Sequence, residues 1–308
     1  MTTSTSCDEV INLLKDKYKI NYEYDENRCD SIDIDGTKPI LLLDFSYYIF
    51  YRYFALCSWW KKAQEDELIV DNIIHNNIFI EKYDKLFYEN IKKIQKKYNI
   101  KDSIVIFGKD CRRYNIWRNK YYQDYKKTRD DNNRNFNRDI FLYTYYKIVP
   151  ELQEKGIKFV SVDNAEGDDI IAILKKTIRE HYNTLPIYII TNDHDYLQLI
   201  DNNTFIYNLK SYDLRNKSKG SKDIDLKLKI LKGDISDNIV GINKSMKITE
   251  KKLMEYIKDC DKLDKLLNDN PNLKKIYDRN ELLINFDKIP DDIQKKIRDC
   301  INFVEINE

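Results

Sequence analysis

Five short apolar runs, rich in β-branched and aromatic residues, punctuate the first two thirds of the chain. They span 39–45 (PILLLDF), 103–108 (SIVIFG), 157–163 (IKFVSVD), 186–193 (PIYIITND) and 204–209 (TFIYNL). Runs this continuous fit strands buried on both faces rather than strands with one wet side. Helical patterns lie between several of them: Ile80, Tyr83, Phe87, Ile91, Ile94 and Tyr98 mark one face of a long helix, and Ile170, Ile173, Leu174 and Ile178 mark another. This alternation predicts an α/β fold, with a mostly parallel central sheet, helices on both faces and right-handed crossovers.

The 308 residues suffice for one large domain, or one domain with a small appendage, with no need of covalent staples. Residues 1–35 read as an N-terminal extension carrying a short helix over 7–17, and 36–210 as the α/β domain. The strand pattern fades after about residue 210, so 211–308 is expected to be a helical C-terminal region. The polar stretch 210–223 reads as a mobile loop, and the Asn-rich 130–139 as a flexible connection. No apolar run is long enough to span a bilayer, and the opening MTTSTSCDEV lacks the basic and apolar parts of a signal peptide. Six cysteines without a CxxC pair, beside three histidines, argue against zinc. They fit reduced thiols in an intracellular compartment: cytoplasm, nucleus or a virus-infected host cell.

Acids stand where the strands stop. Asp44 closes LLLD, Asp110 follows IVIFGK, Glu166, Asp168 and Asp169 follow VSVDNA, Asp193 and Asp195 follow IYIITN, and Asp234 and Asp237 sit in LKGDISDNIVGI. The carboxyl ends of parallel strands line one crevice, so these side chains should converge. Two like charges ~4 Å apart repel by about 4 kcal/mol at an effective dielectric near 20. Such a crowd is tenable only with protons or a bound cation, and oxygen-only ligands select Mg²⁺ or Mn²⁺. Five of these acids have a plainer reading: a turn residue for Asp44 and Asp193, a helix-dipole partner for Asp168 and Asp169, an N-cap for Asp237.

The net charge is only +1, but between Lys109 and Arg129 eight Lys/Arg face two acids, interleaved with Tyr114, Trp117, Tyr121, Tyr122 and Tyr125. Cations mixed with flat rings suit a nucleic-acid strand; a solvated helix face is the plainer reading.

Five blocks in order, LLLDFSYYIFYRYFA, YKKTR, AEGDDIIAIL, ITNDHDYLQLI and LKGDISDNIVGI, resemble the conserved blocks of the flap endonuclease and 5′–3′ exonuclease superfamily, PIN-like 5′-nucleases, with the tail LLINFDKIP closest to phage or viral RNase H-type members. The resemblance implies that Asp44, Asp110, Glu166 and Asp168 hold one Mg²⁺ or Mn²⁺, with Asp169 in support, and that Asp193, Asp195, Asp234 and Asp237 hold a second. It implies that Lys126 and Arg129, with Lys82 or Lys85, contact the scissile phosphate or the 5′ strand. Arg112, Arg113, Arg118, Lys120 and Tyr125 would line the strand's path in a short arch near 109–150, and Tyr48 or Tyr51 could stack on a terminal base, ordinary core packing being the alternative. The implied function is a structure-specific 5′-nuclease of replication or repair, monomeric, acting on DNA or RNA–DNA at a 5′ end, nick or flap; no protein partner is indicated. Residues 233–256 correspond to a helix-hairpin-helix, here degenerate: GINKSMKITEKKLM keeps only Gly241, which leaves a K⁺ site and a grip on duplex open. A PIN-like ribonuclease and a non-catalytic nucleic-acid-binding homologue are the alternatives.

Overall fold

A computed structural model describes residues 7–20, 25, 27–63, 70–132 and 136–305. All five apolar runs become strands of one sheet: β2 (Ile40–Asp44), β3 (Ile104–Gly108), β4 (Lys158–Val160), β5 (Ile187–Ile190) and β6 (Thr204–Tyr207). Their order is β4-β3-β2-β5-β6, and every pairing is parallel. The central strand feeds two cores by simple alternation. Ile40 and Leu42 enter one together with Ile106, Ile187 and Ile189, while Leu41 and Leu43 enter the other with Val105, Phe107 and Ile190. Side chains on a strand alternate between faces, so apolar residues at every position require helices on both.

The helices before β4 cover the second core. They are α1 (Cys7–Tyr18), α2 (Phe45–Ala63), α3 (Asn77–Lys97), α4 (Asp139–Tyr143) and α5 (Val149–Glu154), with a π-helical turn between the last two. In α3 the expected face is buried through Ile80, Tyr83, Phe87 and Ile91, and the Asn76 side chain caps its start by accepting from the Phe79 N–H. On the opposite side α6 (Gly167–His181) packs Ile170, Ile171, Ile173, Leu174 and Ile178 into the first core.

The extension expected over 1–35 does not stand apart where it is described. Val10 and Leu14 of α1 are buried in the second core. Strand β1 (Ile32–Ile34) runs parallel to β9 (Ile301–Phe303), tying the two ends of the chain together. The C-terminal part continues as α7 (Lys222–Lys232), the short antiparallel pair β7 (Gly233–Asp234) and β8 (Ile239–Val240), then α8 (Ile242–Met246), α9 (Glu250–Lys258), α10 (Cys260–Asp269), α11 (Pro271–Ile284) and α12 (Asp291–Arg298). Helices α7 to α10 share a small core of their own, but Ile293 and Ile297 of α12 return to the main one. The region is therefore helical as expected without being a detached unit.

The 210–223 stretch, expected as a mobile loop, is pinned. Leu214 is buried in the first core and Tyr207 bridges to Asp213. Thr249 caps α9 by accepting from the Lys252 N–H. Between α8 and α9 the chain turns through Lys247, whose φ of 52° is the left-handed value that glycine adopts without cost. None of the described helices is long and apolar enough to cross a membrane.

Candidate active site

At the carboxyl edge of the sheet lies an open crevice of about 730 Å³, lined by Asp44, Asp110, Glu166, Asp168, Asp193 and Asp234 among others. Two glycines make the convergence possible. A methyl group on Gly108, at the end of β3, would meet the Gly167 carbonyl at 2.8 Å, and one on Gly167, at the start of α6, would meet the Gly108 carbonyl at 2.9 Å. That close approach lets the Gly167 N–H donate to Asp110 at 2.6 Å, so Asp110 is fixed beside the first turn that carries Asp168. Ser46, from the first turn of α2, donates to the other oxygen of Asp110.

The nine acids fall into two groups. Five have cationic partners inside the protein. Glu166 accepts from Arg118 at 2.8 Å, from the Tyr125 hydroxyl at 2.8 Å and from Lys126. Burial alone would raise its pKa, but Lys126 and Arg118 overcome this and hold it at about 2. Asp169 is fully buried. It binds Arg118 through both its oxygens, at 2.7 and 2.9 Å, and accepts from the Trp117 indole at 3.0 Å. Asp237 pairs with Arg129 and, at 3.7 Å, with Lys126. Lys229 of α7 sits between Asp195 and Asp234, 2.8 Å from the latter. Burial raises the pKa of Asp234, and Lys229 with two Ser236 donors outweighs it, leaving it at about 2.

The other four, Asp44, Asp110, Asp168 and Asp193, form no ion pair with a described residue. Among the described residues, Asp44 accepts only from the Tyr47 N–H at 3.0 Å and, at 3.4 Å, from Thr191. Burial first, then the charge of Asp110, push it up to about 7. Asp168 is likewise raised, by burial and by Asp169 and Glu166. Glu166, Asp168 and Asp169 bring carboxylate oxygens within 4.8 Å of one another, although Arg118 already holds two of the three. A divalent cation fits this donor set: the candidate ligands are oxygen only, and four of the acids form no ion pair with a described residue.

The basic segment 109–132 behaves differently from the expectation that it lies along a strand's path. Arg118 is 1% exposed, and its Nε donates to the Leu283 carbonyl at 2.7 Å. Burial excludes both it and Tyr125 from a strand-facing role. Arg113, Lys126 and Arg129 do line the crevice. Arg112 and Lys120 are exposed, the former on the Tyr114 hydroxyl at 2.8 Å. Lys82 lies over the Trp59 ring at 3.5 Å and Lys85 faces Glu89; neither lines the crevice.

Tyr48 is fully buried, with its hydroxyl on the Phe87 carbonyl at 2.7 Å, so base stacking by this ring is excluded; Tyr51 packs beneath the Arg52 guanidinium. The aromatic surface of the crevice comes from Tyr47, Phe50, Phe141 and Tyr145 instead. Sequence reasoning missed these, together with Lys229 and Ser46. Tyr47 and Phe50 sit in the block already singled out, and helical spacing from Asp44 could have found them. Nothing in the α7 sequence distinguishes Lys229 from Lys227 or Lys232.

An oxygen-only cation crevice with cationic side chains on its rim, at the carboxyl edge of a parallel sheet, defines an enzyme that works on phosphate esters with divalent metal. The family model of the 5′-3′ exonuclease N-terminal resolvase-like domain matches residues 39–227. The chain is 25% identical to a 5′-3′ exonuclease of Buchnera aphidicola (Acyrthosiphon pisum strain) over 252 residues, covering 79% of this chain and 78% of that protein. It is 28% identical to the ribonuclease H of phage T4 over 296 residues, 88% of each. Its fold is similar to that of the phage T5 D15 flap endonuclease solved with DNA and metal ions, with a TM-score of 0.60 at 16% identity, covering 85% of this chain and 97% of that one. The chain belongs to the 5′–3′ exonuclease family.

Proposed function

We propose that the chain is a divalent-metal-dependent, structure-specific 5′-nuclease that cuts DNA or RNA–DNA at a 5′ end, nick or flap, as a monomer. The observation that carries the reading is the meeting of four acids without cation partners in a crevice rimmed by Arg113, Lys126 and Arg129. Asp44, Asp110, Asp168 and Glu166 would hold one Mg²⁺ or Mn²⁺, and Asp193, with Asp195, Asp234 and Asp237 nearby, a second. Bound there, the cations supply the Lewis acidity that makes water nucleophilic at neutral pH and offsets charge on the phosphoryl oxygens.

The protein's part is positioning and charge. Arg113 is exposed and so meets the strand first. Arg129, half-buried on Asp237, is free to extend donors to a phosphate. Lys126 is buried and held by Glu166 in a left-handed backbone turn, which fixes its charge where negative charge develops. Tyr47, Phe50, Phe141 and Tyr145 offer flat surface to an unpaired base. No protein nucleophile is required. Segment 233–256 would grip duplex backbone through α8 and α9, with K⁺ as a candidate ligand of its main chain. The T4 relative's name, ribonuclease H, favours RNA–DNA among the substrates.

A 5′-labelled flap substrate, incubated with and without Mg²⁺ beside nicked DNA and single-stranded RNA, tests this. Short 5′-labelled products from flap or nick, made only with Mg²⁺, are expected. Cleavage of single-stranded RNA alone would point to a ribonuclease, and absence of any cleavage to a binding protein.

A further inference from the structure

The acids of the crevice stand on separate elements, and three of those elements are tied to one place, the C-terminal end of α11. Arg118, which holds Glu166 and Asp169, donates from Nε to the Leu283 carbonyl at 2.7 Å. Gln198, on the same short turn as Asp195, donates to the Ile284 carbonyl at 3.0 Å. The last carbonyls of a helix have no partner within it, so both are open to side chains from elsewhere.

The third tie is Asn280. The hairpin of β7 and β8 carries Asp234 on one strand and Asp237 in its loop, and each strand has only two residues. So short a pairing fixes a hairpin poorly by itself. Asn280 is fully buried, and its Nδ2 donates to the Val240 carbonyl of the hairpin at 3.0 Å and to the Ile230 carbonyl of α7 at 2.9 Å. Its Oδ1 accepts from Arg279 at 2.8 Å. Two carbonyls on one side and a guanidinium on the other leave the amide one orientation. Arg279 also donates to the Val240 carbonyl, at 2.7 Å, and lies over the Tyr122 ring, whose hydroxyl donates to the Asn238 carbonyl at 2.9 Å. Ile230 belongs to the helix of Lys229, the cation between Asp195 and Asp234. One buried amide thus joins the hairpin that carries two acids to the helix that carries their cation.

We propose that Asn280 is a positioning residue for the wall of Asp195, Asp234 and Asp237: by clamping Val240 to Ile230 it sets the hairpin acids in place against Lys229 and the crevice. This rests on the metal-dependent nuclease reading above. Asn280 does not line the crevice and touches neither substrate nor the reacting atoms. An apolar side chain could fill the space, but would strip a donor from two carbonyls, and the hairpin would be free to shift. Groups that orient ligands from behind in this way typically change metal affinity or activity about 10–100-fold when removed. Helix α11 lies beyond residues 39–227 that the family model covers, so this wall is aligned from outside the matched domain.

Two variants of the full chain test this. Asn280→Ala removes both donated bonds; Arg279→Met removes the second donor to Val240 and keeps a stem over Tyr122. Each is read well below its unfolding midpoint, by backbone hydrogen exchange in EDTA and by kcat and KM on a flap substrate with Mg²⁺. Asn280→Ala should speed exchange over 233–241 while 40–44 stays as protected as in the wild type, and should lower kcat about 10–100-fold with KM unchanged. Arg279→Met should show the same pattern, smaller. Unchanged exchange over 233–241, or faster exchange there with kcat intact, would overturn the proposal, the latter leaving Asn280 a purely structural part. A raised KM with kcat unchanged would overturn it too, assigning α11 to substrate grip. If Asn280→Ala does not fold, Arg279→Met decides by the same criteria. A wild type without Mg²⁺-dependent cleavage removes the nuclease reading and this inference with it; an active wild type with an equally active variant removes only the role of Asn280.

Discussion

The two walls of the crevice handle the same problem in opposite ways. On one wall Asp195 and Asp234 share Lys229, a cation the chain supplies from its own helix. On the other, Asp44 and Asp168 form no ion pair with a described residue, and burial with neighbouring acids raises their carboxyls despite Lys126 nearby. The same split separates Glu166 and Asp169, locked by Arg118 and Lys126, from Asp110, which among the described residues has a hydroxyl and an amide as its donors. Where the charge must always be balanced, the fold uses Lys and Arg. Where it leaves acids unbalanced, an exchangeable cation is the remaining means of balance.

Removing the uncompensated wall should have the largest effect. Asp44→Asn with Asp168→Asn should reduce flap cleavage on the order of 10³-fold or more, a barrier change of roughly 4 kcal/mol or above. The same variant should be at least as stable as the wild type in EDTA, because it deletes charges that burial disfavours. The pH sign follows. Asp44 is raised in the folded state, to about 7 from 3.8, so the native protein holds more protons between those values. Stability in EDTA should fall as pH rises from about 4 to 7, and the double variant should flatten that slope in pH-dependent thermal melts.

Next comes the locked part. Arg118→Met would leave Asp169 and Glu166 short of a buried partner, and should cost about 3–5 kcal/mol in denaturant unfolding. A variant that instead keeps its stability and loses only DNA affinity would return Arg118 to the substrate-facing role its sequence suggests.

The smallest effect is expected at Lys229, whose pairs are partly exposed. Lys229→Met should cost about 1–2 kcal/mol in EDTA, and added Mn²⁺ should recover part of it, since the variant turns the compensated wall into a copy of the other. No recovery with Mn²⁺ would break the parallel between the walls.

The sheet was legible because strands buried on both faces need unbroken apolar runs, and every run indicated on that basis became a strand. The acids were legible because they stand at strand ends. Which acid meets which cation was not, since Arg118 and Asp169 are 51 residues apart and Lys229 and Asp195 are 34 apart. Such pairs depend on how α7 and the 109–132 segment lie against the sheet; the spacing of Ile224, Leu228 and Leu231 marks the apolar face of α7 but not which acids its lysines reach. The basic, aromatic run Lys109 to Arg129 illustrates the limit: Trp117, Arg118 and Tyr125 read like strand-binding residues but form a buried lock on the acids. The short elements β1 and β9 escaped notice because three residues of parallel pairing leave no periodic pattern in a polar stretch.

The most direct measurement is a calorimetric Mn²⁺ titration of the wild type beside the Asp44→Asn, Asp168→Asn double variant. The wild type should bind Mn²⁺, with the tightest binding event lost in the variant while its melting curve in EDTA stays cooperative. A wild-type protein that takes up no Mn²⁺, or a variant that binds it just as tightly, would contradict the claim that these acids are left unpaired for a metal ion.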